Sequence, residues 1–166
     1  MDAVEIERKF RVRRLPENLG SFRRRVIEQG YLSTVPVVRV RRDSDTYYLT
    51  YKSGTGVSHT EYNLPLTKES YEHLITKADG IVIRKDRYEI PDGKLTIELD
   101  IFHGVLEGLC WAEVEFPSLE LAGAYQPPSW FGTEITGLYS NSRLSGMTRE
   151  EAAEFVRNEK SLTSGT

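Results

Sequence analysis

Cysteine is all but missing from the 166 residues: Cys110 is the single example. No internal disulfide can form, which fits a reducing cytoplasm. Flanked by Leu109 and Trp111, its thiol reads as a core group that burial keeps neutral, not as a nucleophile. Long hydrophobic runs are missing too, and none approaches the roughly 20 residues a spanning helix needs. A signal-peptide pattern is lacking, because the first residues already read as a strand. A P-loop is lacking, since Gly54-Thr55-Gly56 is not followed by the G-K-[ST] that cradles phosphate, and a hairpin loop is the better reading. His59, His73 and His103 do not have zinc-site spacing. Neither charge sign dominates: 22 basic and 25 acidic side chains give a net charge of -3. There is therefore no basic surface run for a nucleic-acid backbone.

What remains is a soluble composition, 39% hydrophobic and 28% charged. The length suits one domain, expected over residues 1–160 with a frayed tail at 161–166. The dominant period is two. Segments 4–12, 37–42, 46–53, 58–66, 81–90, 94–102 and 110–116 alternate or are rich in β-branched and aromatic residues. Turn signals at Asp43-Ser44-Asp45 and Pro91-Asp92-Gly93 make neighbours antiparallel. A helix is expected over 16–29, where Leu19, Phe22, Val26 and Ile27 have helical spacing and Gly30 supplies a stop. On that helix Arg23-Arg24-Arg25 would form a solvated face. A second helix is expected over 68–78, capped by Thr67, and a third from the Thr148/Glu151 capping box to about 158. Residues 118–146 read as loop with short helices.

The polar faces of these strands are unusually selective. Every second residue gives Glu5, Glu7, Lys9; Arg39, Arg41; Lys52; Glu61; Lys85, Arg87; Glu98, Asp100; Glu113, Glu115. The alternate positions are apolar: Ile6 and Phe10, Val38 and Val40, Leu99 and Ile101, Ala112 and Val114. One charged strand face is usually just solvated, but same-sign pairs recur strand after strand. Like charges two residues apart on one face repel, so they call for counter-charges from other strands or from a ligand. An α+β fold answers this: a closed antiparallel β-barrel with the charged face turned into a wet lumen and helices packed outside. Acids there can take hard divalent cations through oxygen, and Arg and Lys can take phosphate. The implied ligand is a multiply anionic chain with metal, and a tri- or polyphosphate fits it.

Glu5-Ile6-Glu7-Arg8-Lys9 resembles the E-x-E-x-K signature of the CYTH superfamily, the triphosphate tunnel metalloenzymes. The order Arg39-x-Arg41, Lys52, Glu61, Lys85-x-Arg87, Glu98-x-Asp100 and Glu113-x-Glu115 extends the resemblance over residues 4 to 116. It implies an eight-stranded tunnel and Mg²⁺- or Mn²⁺-dependent action on a triphosphate. The short form looks most like the small bacterial tripolyphosphatases. A class IV adenylyl cyclase, a thiamine triphosphatase and a non-catalytic polyphosphate-binding module are the alternatives. By this resemblance Glu5, Glu7, Glu98, Asp100, Glu113 and Glu115 are the metal-binding acids. Lys9, Arg39, Arg41, Lys52, Lys85, Arg87 and Arg143 bind substrate. Lys9, Glu61 and Glu115 are the candidate catalytic groups. Asn63 and His59 depart from the family pattern. The implied partner is a small triphosphate, with no nucleic acid or membrane and a homodimer left open.

Overall fold

Each of the seven period-two segments is a strand, and two further strands join them. The computed structural model describes residues 5–53 and 60–164. Its strands are β1 (Ile6–Val12), β2 (Arg23–Thr34), β3 (Val37–Asp43), β4 (Thr46–Ser53), β5 (Thr60–Pro65), β6 (Asp79–Asp92), β7 (Leu95–His103), β8 (Cys110–Phe116) and β9 (Phe131–Glu134). They form one sheet of order β5-β4-β3-β2-β6-β7-β8-β1-β9. Every neighbouring pair is antiparallel. The helices are α1 (Lys68–Ile75), α2 (Leu119–Ala124), α3 (Asn141–Ser145) and α4 (Arg149–Ser164). The hairpin loop expected at 54–56 and His59 lie outside the described residues.

Several expectations need correction. The segment 16–29 is not a helix; it holds a 3-10 turn at Leu19–Ser21 and the start of β2. β2 is a central strand, and Ile27 pairs with Asp43 on one side and Lys85 on the other. Its inward set, Arg25, Ile27, Gln29 and Tyr31, mixes polar and apolar groups, so the period of two is hidden. Leu19 and Phe22 supply an accidental helical spacing, while both pack against the outer core. Among the described residues the sheet has nine strands instead of the implied eight, one of them the four-residue β9 inside the segment read as loop.

Gly30 is not a helix stop but a close approach. A Cβ there would lie 2.6 Å from Ala78 Cβ and 2.9 Å from Ile75 Cδ1, just beyond α1 and at its end. Gly30→Ala is therefore expected to cost about 1–3 kcal/mol through overpacking. A urea titration should show a lowered midpoint, and an unchanged midpoint would mean that this contact yields freely.

The sheet is strongly curled. Lys52 on β4 comes within 3.8 Å of Glu5, which immediately precedes β1, although the ladder order puts five strands between β4 and β1. Among the described residues the ladders end at β5 and β9, and none joins the two. The outer face of β1, β6, β7 and β8 packs Phe10, Ile97, Leu99, Val114 and Phe116 with Ala122 of α2. Thr67 caps α1 by accepting from the Ser70 N–H, and Thr148 accepts from the Glu151 N–H at 3.1 Å.

Helices were expected only outside the sheet, and α3 and α4 break that rule. Lys85 pairs with Phe102, and Asp100 with Trp111, so these apolar rings share the inward face with the charges. Phe102, Trp111, Ile83 and Tyr31 form one cluster with Leu144 of α3 and Ala152 and Val156 of α4. Both helices thus cover an apolar part of the concave face. α4 is also tied to β1, where the Arg11 Nε donates to Glu159 Oε2 at 2.7 Å. It continues helically into 161–164, the start of the expected tail.

Candidate active site

The inward charges of seven strands meet around a cavity of about 270 Å³. Its walls carry Glu5, Glu7, Lys9, Arg39, Arg41 and Lys52, together with Glu61, Arg87, Glu98, Glu113 and Glu115. Tyr31, Val37 and the Ser140–Ser142 stretch at the start of α3 complete the lining. A larger groove of about 990 Å³ shares only Glu98 and Glu115 with it and otherwise runs along the outer surface near Tyr125 and Leu121.

Strand register sets the acids side by side. Glu7 lies opposite Glu115, and Glu98 opposite Glu113. Like charges directly across a ladder are destabilising. Some are compensated: Glu113 Oε1 is 3.2 Å from Lys9 Nζ, and Glu98 Oε2 is 3.1 Å from Arg87 Nη1. Lys52 Nζ sits 3.8 Å from both Glu5 and Glu61. Glu7 and Glu115 have no ion-pair partner among the described residues, and both side chains reach solvent. Desolvation, with the neighbouring Glu113 charge, pushes the Glu7 carboxyl up to about 7. Glu5 is also raised, first by burial and then by Glu61 and Glu115, against the pull of Lys52.

The bases fall into two groups. Lys85 and Arg87 share one acid, Asp100, which has no solvent exposure. Lys85 Nζ donates to Asp100 Oδ2 at 2.7 Å, and Arg87 grips both oxygens at 2.8 and 2.9 Å. Burial would raise the Asp100 carboxyl, but Lys85 and Arg87 outweigh it and hold the group well below the usual carboxylate range. Burial likewise draws the Lys85 ammonium down to about 7 against the pull of Asp100. Arg39 and Arg41 have no carboxylate at ion-pair distance among the described residues; their partners are neutral. Burial, then the Arg41 charge, lowers the Arg39 guanidinium.

Lys9 is fixed on three sides. Its ammonium donates to the Tyr139 carbonyl at 2.8 Å, pairs with Glu113 and lies 4.4 Å from the Trp111 ring centroid. Arg143 stands apart from the main cavity. It donates to the Leu138 carbonyl and lines a neighbouring hollow that shares Glu7 and Lys9.

Several side chains at the site had no signal in the sequence. Gln29 ends the segment misread as a helix, and Tyr31 lies just past it in no segment read as a strand. Thr50 accepts from Arg39 and donates to Asn63. Asn141 accepts from Lys85 Nζ at 3.2 Å, and only the fold brings it there. Arg25, read as solvated, is half-buried between Asp43, Glu89 and Glu98. Tyr48 reaches Arg41, whereas Tyr47 and Tyr51 stack on Tyr71 and Tyr62. His103 bonds Asp86 and Glu107, away from the cavity. Burial pushes the Cys110 thiol up to about 12, which leaves it inert as a nucleophile.

The donor set suits a hard divalent cation. Six glutamates offer oxygen to one cavity, and two of them, Glu7 and Glu115, face each other without an ion-pair partner among the described residues. The oxygens are spread around the walls: among the described residues no three acidic, His or Cys side chains are gathered as a ready-made metal cluster.

The chain matches the CYTH domain family over residues 3–151. It is 40% identical over 149 residues to an inorganic triphosphatase of Nitrosomonas europaea, covering 86% of this chain and 97% of that one. To an inorganic triphosphatase of Acetivibrio thermocellus it is 37% identical over 147 residues, covering 84% and 92%. The crystal structure of an inorganic triphosphatase superposes with a TM-score of 0.70 at 34% identity, over 87% of this chain and 96% of that one.

Proposed function

The chain belongs to the CYTH domain family, and on that premise we propose that it is a metal-dependent triphosphatase hydrolysing inorganic tripolyphosphate. The observation that carries the reading is the cavity itself, where Arg39 and Arg41 line one small space with Glu7 and Glu115, none of the four having an ion-pair partner among the described residues. Bases alone would suit an anion-binding module. The unpaired acids would only repel a polyphosphate unless a cation lay between them.

In this reading the curled sheet acts as a tunnel, and residues 1–160 act as one domain in the cytoplasm. Glu5, Glu7, Glu98, Glu113 and Glu115 would hold Mg²⁺ or Mn²⁺, which when bound would supply charge neutralisation for phosphate oxygens and polarise water. Asp100 was grouped with these acids, but both its oxygens are engaged, so its part is to hold Lys85 and Arg87. Arg39 and Arg41 take the phosphate chain by their planar forks, with Lys52 and Lys9 as point charges. Phosphoryl transfer asks chiefly for position and charge neutralisation. Glu61 or Glu115 accepts the proton of the attacking water as the terminal phosphoanhydride bond breaks. Lys9, locked by Glu113, Tyr139 and Trp111, faces the developing charge. Arg143 steadies the substrate end from the adjoining hollow.

Phosphate release from tripolyphosphate, ATP and thiamine triphosphate, each with Mg²⁺ and Mn²⁺, tests this. Tripolyphosphate should be turned over fastest and chelator should stop the reaction. Cyclic AMP from ATP would favour the cyclase instead. Chelator-insensitive binding without release would favour a passive module.

A pH dependence follows from Glu7. Its carboxyl is raised in the fold, so the folded chain binds this proton more tightly than the unfolded chain. The stabilisation is full below about 4.5 and is lost as pH rises through about 7. Melting curves in chelator should therefore shift down between pH 5 and pH 8. Mg²⁺ should restore the melting temperature far more at pH 8, where the carboxylate is ionised. Equal Mg²⁺ shifts at both pH values would remove Glu7 from the metal set.

A further inference from the structure

We infer that Gln29 is a positioning residue of the phosphate site: it fixes the Arg41 guanidinium without neutralising it. This rests on the reading of the cavity as a phosphate-chain site.

Gln29 has no solvent exposure. Its Oε1 accepts from Arg41 Nε at 2.7 Å, and its Nε2 donates to the Tyr31 hydroxyl at 3.4 Å. A buried amide is costly unless both ends are used, and here both are. The neighbouring arginine is braced in the same manner, Arg39 Nη2 donating to the Thr50 hydroxyl at 3.0 Å. The Arg39 Nε is buried with no partner.

A carboxylate is the usual partner for a buried guanidinium, and this fold uses one a few strands away. Arg87 is gripped by Asp100 and Glu98. For the two arginines of β3 the acceptors are an amide on β2 and a hydroxyl on β4 instead. Both arginines are less than a tenth exposed and lie two residues apart on one face, so their charges oppose each other. Neutral bracing keeps each fork in place while leaving its whole charge for an incoming anion. An acid at position 29 would satisfy Arg41 better in the empty protein, and would also compete with the substrate. The amide is thus a choice against internal pairing.

Two variants test this in the full chain. Gln29→Glu conserves size and places a carboxylate on Arg41 Nε. It should raise the KM for tripolyphosphate with Mg²⁺ at least tenfold, change kcat much less and leave the melting temperature no lower than the parent's. Gln29→Met conserves volume and neutrality but loses the acceptor, and should raise KM several-fold. Titration calorimetry with a non-hydrolysable imido analogue of tripolyphosphate and Mg²⁺, where turnover does not contribute, should show weaker binding in the same order. A role in packing alone would lower stability in both variants without separating KM from kcat. Parent-like KM and affinity in both variants would overturn the inference while leaving the triphosphatase reading intact. A parent protein that neither binds nor hydrolyses tripolyphosphate would overturn both.

Discussion

Glu115→Ala should abolish Mg²⁺-dependent phosphate release, with a loss of at least about 10²–10³-fold, the scale on which single electrostatic groups contribute in active sites. Glu115 faces Glu7 across the β1–β8 ladder, and neither has an ion-pair partner among the described residues. Its side chain is exposed, so truncation empties no core and should change stability by less than about 0.5 kcal/mol. Relief of the repulsion with Glu7 should hold or slightly raise the melting temperature of the metal-free chain. Activity and stability are then expected to move in opposite directions, as befits a side chain kept for its chemistry. Glu7→Ala should behave alike. Normal turnover by either variant would sink the assignment of these acids.

The opposite pattern is expected at Asp100. Asp100→Asn replaces the carboxylate shared by Lys85 and Arg87 with a neutral amide at a fully buried position, leaving Lys85 no acid and Arg87 only Glu98. Breaking such a pair from one side typically costs about 3–5 kcal/mol, because a charge stays buried without compensation. Denaturant unfolding should show a loss of this size. Lys85→Met removes the second ion, so the double variant should recover part of it, giving a clear coupling in a double-mutant cycle. Additive losses would mean that Asp100 serves Arg87 alone. The melting temperature separates the two acids: Asp100 holds the wall together, whereas Glu115 strains it.

Legibility in the sequence followed the physics of each element. Strands with clean alternation, such as Glu113-Val114-Glu115-Phe116, announced themselves because one face meets water and charge and the other meets the outer core. β2 did not, because its inward face runs Arg25, Ile27, Gln29, Tyr31 and crosses from the charged cavity to the apolar cluster under α3 and α4. Two environments along one face erase the binary pattern. β9 was too short to carry a period. The charged lining was readable because like-sign pairs repeat on strand after strand. The neutral braces were not, since Gln29, Thr50 and Asn141 acquire meaning only from the atoms they touch. Asp100 could be placed inward by alternation, but its engagement with two bases is a matter of cross-strand register.

β1 precedes the other strands of the sheet and is paired last. Its ladder partners among the described residues are β8 and β9, so Ile6 waits for Phe116, and Phe10 for both Ala112 and Glu134. Such distant pairings pay their loop-closure entropy before they return any contact, which slows folding. During synthesis the strand bearing Glu7 and Lys9 cannot dock until nearly the whole sheet has left the ribosome. Truncation before β8 should therefore leave β1 as a loose, charged arm, whereas truncation before β9 should leave its ladder to β8 in place.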